Sequence, residues 1–233
     1  MTAATGAINN MRNGTKRNRR TQMDIYFSPL ACSMSSRIAL YEAGAIACFK
    51  EVDPKTKRLE DGSSYLDVHP LGLVPAVRTE QGAVITENAA VLQYIAERYP
   101  KADLMPVPGL ERTQLQQWLC FIGTELHKGL FAALFDRNLP ADVKSQALEK
   151  AESRFAYLAE HLASREFLLS RFSVADAYLF AVLNWHIATP VDLKRWPVLA
   201  DYYARLKERP SVCRALREEH ALYAAEQARH KAA

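Results

Sequence analysis

The run DIYFSPLACSMSSRIALYEAG, residues 24–44, decides how the rest of the chain is read. Asp24–Phe27 looks like a short strand. Ser33–Ala43 has helical spacing closed by Gly44, the residue type that best tolerates a left-handed position past a helix end. Between them, Ser28-Pro29-Leu30-Ala31-Cys32-Ser33 joins strand to helix and sets Cys32 at or near the first helical turn. Unpaired backbone N–H groups and the helix dipole favour an anion there, so the thiol is expected to have a lowered pKa and more thiolate. On this segment alone, a buried cysteine packed as a small hydrophobe fits as well.

Downstream, Ala47–Val52 is a second strand candidate. The polar stretch with Pro54, Lys55, Lys57, Arg58 and Asp61-Gly62 reads as a loop with a short helix at Ser63–Asp67, completing a β-α-β start. Val74-Pro75-Ala76-Val77 opens a third strand, and a proline there fits an edge or a cis turn better than a central ladder position. A cis turn leaves the Val74 N–H and C=O free to pair with an extended peptide ligand, whereas a simple turn has no such meaning. Glu80-Gln81-Gly82 is a hairpin signal before Val84-Ile85, and Glu87–Tyr99 returns to helical spacing. In Thr86-Glu87-Asn88-Ala89, helix-start N–H groups suit a carboxylate and Glu87 suits an ammonium, together the two charges of an α-amino-acid head. A glutamate there also simply complements the helix dipole.

Pro100–Gly109, with three prolines and one glycine, reads as a linker. Strand signals stop beyond it. Helices are expected over Glu111–Phe135, Ala141–Ala163, Val174–Ile187 and Val198–Glu208, with a last short one after Pro210. Val174–Trp185 is apolar around its whole circumference, as a central buried helix is, with Ser173 and Asp176 at capping-box spacing and Phe172 as a staple. In the first long helix, α-helical spacing puts Cys120, Thr124, His127, Lys128 and Phe131 on one face, beside an apolar stripe of Leu115, Leu119, Ile122, Leu126 and Leu130. One side then faces a core and the other a cleft. His127 taken alone is more simply a solvated or core histidine.

The composition is that of an ordinary globular protein: 233 residues, 49% apolar and 24% charged, enough for one long domain or two short ones. The longest apolar run, Ala177–Leu183, is seven residues, too short to span a membrane. The formal charge of +4 comes from residues 1–22, which hold Arg12, Lys16, Arg17, Arg19 and Arg20 and no acid; the remainder carries 25 basic against 26 acidic residues. Net charge therefore gives no support to nucleic-acid binding by the body. The tail reads as a disordered basic extension or an upstream start, with Met23 as the functional beginning, and not as a secretory or transit signal. Cys32, Cys48, Cys120 and Cys213 lie far apart without metal-ligand spacing, which argues against zinc and for a reducing cytoplasm.

The ordered set of strand, thiol at a helix start, Val-Pro before a strand and Glu-Asn at a helix start resembles the thioredoxin-like domain of glutathione S-transferases. Phe172-Ser173-Val174-Ala175-Asp176-Ala177-Tyr178 resembles that superfamily's buried-helix capping motif. The resemblance runs from Met23 to about His220. A cysteine where other classes carry Tyr or Ser is similar to the bacterial beta class, as is Thr124-Glu125-Leu126-His127-Lys128-Gly129. It implies an α+β thioredoxin-like, glutathione-binding domain at 23–103 and an all-α domain at 110–225, following the 1–22 extension. The implied activity is alkyl/aryl transfer, adding the glutathione thiolate to small hydrophobic electrophiles in detoxification. Glutathione is then a co-substrate, with no tightly bound cofactor and no metal. The implied setting is a cytoplasmic homodimer without nucleic-acid or membrane partners.

By the same resemblance Cys32 and His127 are catalytic, and Lys57, Val74, Pro75, Glu87, Asn88, Thr124 and Lys128 bind glutathione. Val74 would pair with the cysteinyl backbone, Glu87 and Asn88 would hold the γ-glutamyl end, and Lys57 would reach the glycyl carboxylate. Three positions depart from the family pattern: Cys120 where a polar contact to glutathione is common, Asn88 where Gly or Ser is common, and Pro54 in place of a residue with an N–H. Tyr178, Trp185, His186 and Phe131 are read as core packing ahead of an electrophile pocket. Two other functions are weighed: a thiol–disulfide oxidoreductase or peroxidase working through a Cys32–glutathione mixed disulfide, and a noncatalytic binder of hydrophobic ligands.

Overall fold

The computed structural model describes residues 22–232, so the expectations for the basic extension lie outside it. Four strands, β1 (Asp24–Phe27), β2 (Cys48–Glu51), β3 (Ala76–Arg78) and β4 (Val84–Ile85), form one sheet in the order β2-β1-β3-β4. β1 and β2 are parallel and need a crossover, which α1 (Met34–Glu42) supplies. The other two pairs are antiparallel. Side-chain alternation sorts β1: Ile25 and its partner Val77 enter the main core, while Tyr26 and its partner Ala76 close a smaller cluster with Val52 and Tyr65.

Strand direction brings four chain joints to one end of this sheet. β1, β2 and β4 end there and β3 begins there. The Cys32 turn follows β1, the Lys57 loop follows β2, Val74-Pro75 precedes β3, and Glu87-Asn88 opens α2 (Asn88–Arg98) after β4.

Past a 3-10 turn at Pro100–Ala102 the elements are helical. α3 (Leu110–Phe121) runs on without a break through a π-helical segment, Ile122–Phe131, into α4 (Ala132–Phe135). The Ala132 N–H donates to the His127 carbonyl, the five-residue spacing of a π turn. α5 (Ala141–Leu162), α6 (Val174–Leu183), α7 (Pro197–Lys207) and α8 (Pro210–Ala232) follow. Every residue of α6 is buried, as its all-round apolar sequence requires. Its buried Asp176 accepts four hydrogen bonds, from Ser173 N–H (2.9 Å), Ser173 hydroxyl (2.8 Å), Leu168 N–H (2.9 Å) and Tyr202 hydroxyl (2.8 Å). Burial still pushes this carboxyl above its ordinary pKa.

Two helix expectations change. The last helix is not short: α8 has 23 residues, and its buried positions include Ser211, Glu219 and Glu226 beside Val212, Ala215 and Leu216, so polar residues hide the period. The helix expected to reach Ile187 leaves α geometry at Leu183 and finishes as a 3-10 turn, Asn184–Ala188. Among the described residues no helix is long and apolar enough to cross a membrane.

α1 is the element between the two halves. Met34–Leu40 are all buried because α1 packs on α2 of its own domain and on α6 and α8 of the other. Its Arg37 therefore needs an internal partner. The guanidinium lies 4.5 Å from the Phe27 ring centre and 3.9 Å from that of Phe49, and its Nε is 2.7 Å from Glu219 Oε1 on α8.

Candidate active site

Cys32 stands just before Ser33, the N-cap of α1. The N–H groups of Met34 and Ser35 bond back to the Ala31 and Cys32 carbonyls, so the turn consumes donors that a free helix end would offer an anion. Cys32 is 6% exposed, and its thiol donates to the Val74 carbonyl at 3.3 Å. Burial pushes it up to about 12, against the attraction of the Lys128 cation. This corrects the expected low thiol pKa: desolvation outweighs the helix start. It also corrects the expected free carbonyl at Val74, which the thiol engages. The Val74-Pro75 peptide is cis, so of the edge, cis and simple-turn readings open at that place the cis turn is the one adopted.

The preceding turn is held from the other half of the molecule. Leu30 has a left-handed backbone, φ 59°. Its N–H donates to Glu219 Oε2 at 2.7 Å, and its carbonyl accepts the Trp185 indole N–H at 2.8 Å. The 3-10 turn after α6 and helix α8 thereby fix the loop that carries Cys32.

Glu87, at φ 64°, is a second strained residue at this end of the sheet. It occupies the N-cap position of α2 without a side-chain capping bond, and the neighbouring Asn88 accepts from the Ser35 hydroxyl at 3.1 Å, tying the two helix starts together. The buried Asn88 amide nitrogen has no hydrogen-bond partner among the described residues. Lys57 is left-handed too, φ 55°, and its stem lies against Gly72.

From the helical half, burial and the Lys128 cation lower His127 to about 4, so its imidazole is neutral at pH 7. Its Nδ1 is 2.8 Å from the Tyr178 hydroxyl, which burial keeps protonated, and its ring meets Trp185 edge-on at 4.9 Å.

Cys32, Lys57, Val74, Pro75, Glu87, Asn88, Thr124, His127 and Lys128 all line one cleft of about 800 Å³ between the two halves. Cys120 borders it as well. Phe131 does not, and is fully buried against Trp185. The α-helical face drawn from Cys120 holds through Lys128 and departs only at Phe131, because the π segment advances more slowly around the axis; the cleft side continues at Ala132 and Phe135 instead. Tyr178 and Trp185, read as core, also line the cleft, whereas His186 packs on Tyr203 at 5.1 Å. Phe135, Ile187 and Tyr223 also line the cleft without a sequence prediction: Phe135 and Ile187 close helical apolar runs, which is a usable signal, whereas Tyr223 lies within α8 and has none.

Family comparison agrees with this geometry. A family model described as "Glutathione S-transferase, N-terminal domain" matches residues 24–97, and one for the C-terminal domain matches residues 117–210. A relative named glutathione S-transferase GstA, from Escherichia coli O157:H7, is 38% identical over 199 residues, 84% of this chain and 98% of its own. The chain belongs to the glutathione S-transferase family. Among solved members of that family, a ternary complex of BphK, a bacterial GST, superposes with a TM-score of 0.82 at 39% identity, over 84% of this chain and 99% of its own. A bacterial beta-class glutathione S-transferase from Sphingomonas chungbukensis gives 0.80 at 39%, over 84% and 98%. A sphingomonad glutathione S-transferase complexed with glutathione gives 0.81 at 37%, over 84% and 98%.

Proposed function

We propose that this glutathione S-transferase binds glutathione on the thioredoxin-like wall of the cleft and adds its thiolate to small hydrophobic electrophiles held by the helical wall. The observation that carries the reading is the asymmetry of the cleft. One wall offers Lys57, the Val74 backbone, Glu87 and Asn88; the other offers Phe135, Trp185, Ile187 and Tyr223; Cys32 and His127 lie in the same cleft.

The γ-glutamyl ammonium pairs with Glu87, and its carboxylate meets the start of α2 and the unpartnered Asn88 amide. The cysteinyl backbone pairs with Val74 beside Pro75, Lys57 takes the glycyl carboxylate, and Thr124 adds a hydroxyl from the helical wall. The chemistry asked of the protein is to favour a sulfur anion. Lys128 is a cation close enough to act on the Cys32 thiol. In the tautomer in which the Tyr178 hydroxyl donates to His127 Nδ1 across their 2.8 Å contact, the neutral ring keeps its Nε2–H as a donor. The protonated Cys32 thiol supplies a further donor, since it can turn from the Val74 carbonyl towards an arriving anion. Holding both substrates together raises their effective concentration.

The reading extends to a cytoplasmic homodimer acting in detoxification. The four cysteines are free, in keeping with a reducing compartment. Leu66, Leu71 and Leu73 expose apolar side chains in one stretch before Val74, suited to burial against a second copy. Sedimentation at micromolar concentration should give about twice the 26.2 kDa of one chain; a monomer alone refutes the dimer.

The deciding experiment is intact mass after incubation with reduced and oxidised glutathione, in wild type and Cys32→Ala, alongside conjugation of a chloronitroarene. Conjugation that survives in Cys32→Ala while the glutathione adduct disappears leaves Cys32 as a redox nucleophile beside other donors. Loss of both assigns thiolate activation to Cys32. Wild type that neither binds nor conjugates glutathione overturns the proposal.

A further inference from the structure

α8 begins at the residue where the family model's match ends, and its far turns return to the thioredoxin-like half. Arg229 pairs there with the buried Glu51 at the end of β2. His230 Nε2 lies 2.7 Å from Asp53 Oδ2, while its buried Nδ1 has no hydrogen-bond partner among the described residues, with Glu226 Oε1 at 3.9 Å. Asp53 is the organiser of the loop before Lys57. Its other carboxylate oxygen accepts the N–H groups of Lys55 (2.8 Å) and Thr56 (2.9 Å), and its carbonyl accepts the Lys57 N–H at 2.9 Å. Burial opposes ionisation of Asp53, but these donors and His230 prevail and hold it at about 2, so it is anionic at working pH.

Lys57 has little freedom of its own. It is held left-handed, and its stem crosses Gly72 so closely that a Cβ there would lie 3.0 Å from Lys57 Cδ. The direction of its ammonium therefore depends on the loop, the loop on Asp53, and Asp53 on a residue near the end of α8.

We infer that His230 is a positioning residue for the glutathione site, holding Asp53 so that Lys57 is aimed at the glycyl carboxylate. The inference rests on the role given to Lys57 above. A helix end that merely docks would affect every ligand of the cleft alike; a helix end that aims Lys57 affects only ligands with a glycyl carboxylate.

The test compares glutathione with γ-glutamylcysteine, which lacks the glycyl residue, by calorimetry and by KM and kcat for conjugation. Lys57→Ala is expected to weaken glutathione about tenfold, the loss of one charge-assisted contact, and to leave γ-glutamylcysteine unchanged. His230→Ala is expected to weaken glutathione about fivefold through KM, with kcat and γ-glutamylcysteine binding held. His230→Gln, which keeps an N–H donor for Asp53, restores most of that loss, and the Lys57→Ala/His230→Ala double variant is no weaker than Lys57→Ala. His230→Leu fills the same space without a donor and replaces His230→Ala if that variant does not fold. Equal weakening of both ligands by the His230 variants, or of neither, overturns the positioning role. If Lys57→Ala itself fails to separate the two ligands, the role of Lys57 falls and that of His230 with it.

Discussion

Cys32 and His127 show how burial sets chemistry one side chain at a time. With its thiol held up at about 12, Cys32 should alkylate slowly at pH 7.5, well behind the exposed Cys120 and Cys213, and Lys128→Ala should slow it further. Peptide mass mapping after timed iodoacetamide treatment measures the order; Cys32 reacting first would contradict it. His127 gives a prediction in stability. Its ring protonates near 6.5 when unfolded and near 4 when folded, so between these values the unfolded chain binds more protons. Stability present above pH 6.5 is therefore lost as pH falls towards 4, by about 3 kcal/mol at full effect. His127→Gln should show a smaller drop in Tm between pH 7 and pH 4.5 than wild type does. The cysteine and the histidine could be picked out from sequence as candidates, but the direction of the thiol's pKa could not. A helix start is visible in a sequence, whereas the desolvation that overrules it is not.

At the scale of an element, the π segment and α8 are where periodicity misled. A heptad-like reading of the first long helix assumes one constant turn, and it correctly finds the apolar stripe from Leu115 to Leu130, all of which is buried. It misassigns Phe131 because ten residues, Ile122–Phe131, turn more widely. Gly129 shows what the wide turn requires: a Cβ there would lie 2.9 Å from the Thr124 carbonyl oxygen, closer than the backbone can accept. Gly129→Ala should force the segment to shift beneath His127 and Lys128. The expected cost is about 1–3 kcal/mol in stability, with a fall in kcat/KM of about tenfold, read by thermal melting and chloronitroarene kinetics. Unchanged kinetics would show that the cleft does not depend on the π geometry. α8 misled for a different reason. Its buried face carries Glu219 and Glu226, and a buried carboxylate breaks the apolar pattern unless its partner is known.

For the molecule as a whole, the joint between the halves does more than bury surface. Glu219 receives Arg37 on one oxygen and the Leu30 N–H on the other, and burial pushes its carboxyl pKa up despite that cation. Glu219→Gln leaves the buried Arg37 with only the more distant Glu218, 3.4 Å from its Nη1, as counter-charge and should cost about 1–3 kcal/mol by denaturant unfolding, with weakened glutathione binding because the Leu30–Cys32 turn loosens. A cost below about 1 kcal/mol would mean that water or relaxation readily replaces the pair. The sequence by itself determined the order of elements in the sheet half, the buried α6 with its Ser173–Asp176 cap, and the segments that carry the cleft residues. Those are local matters, settled by turn residues, alternation and helical spacing within a dozen or so positions. Tertiary structure alone decided that Cys32 donates to Val74, that the core residues Tyr178 and Trp185 also border the cleft, and that α8 returns through Glu219 and His230 to hold two loops of the other half. Each of these depends on groups more than forty residues apart in the chain. Their energies come from desolvation and from a second partner's position, neither of which any local pattern encodes.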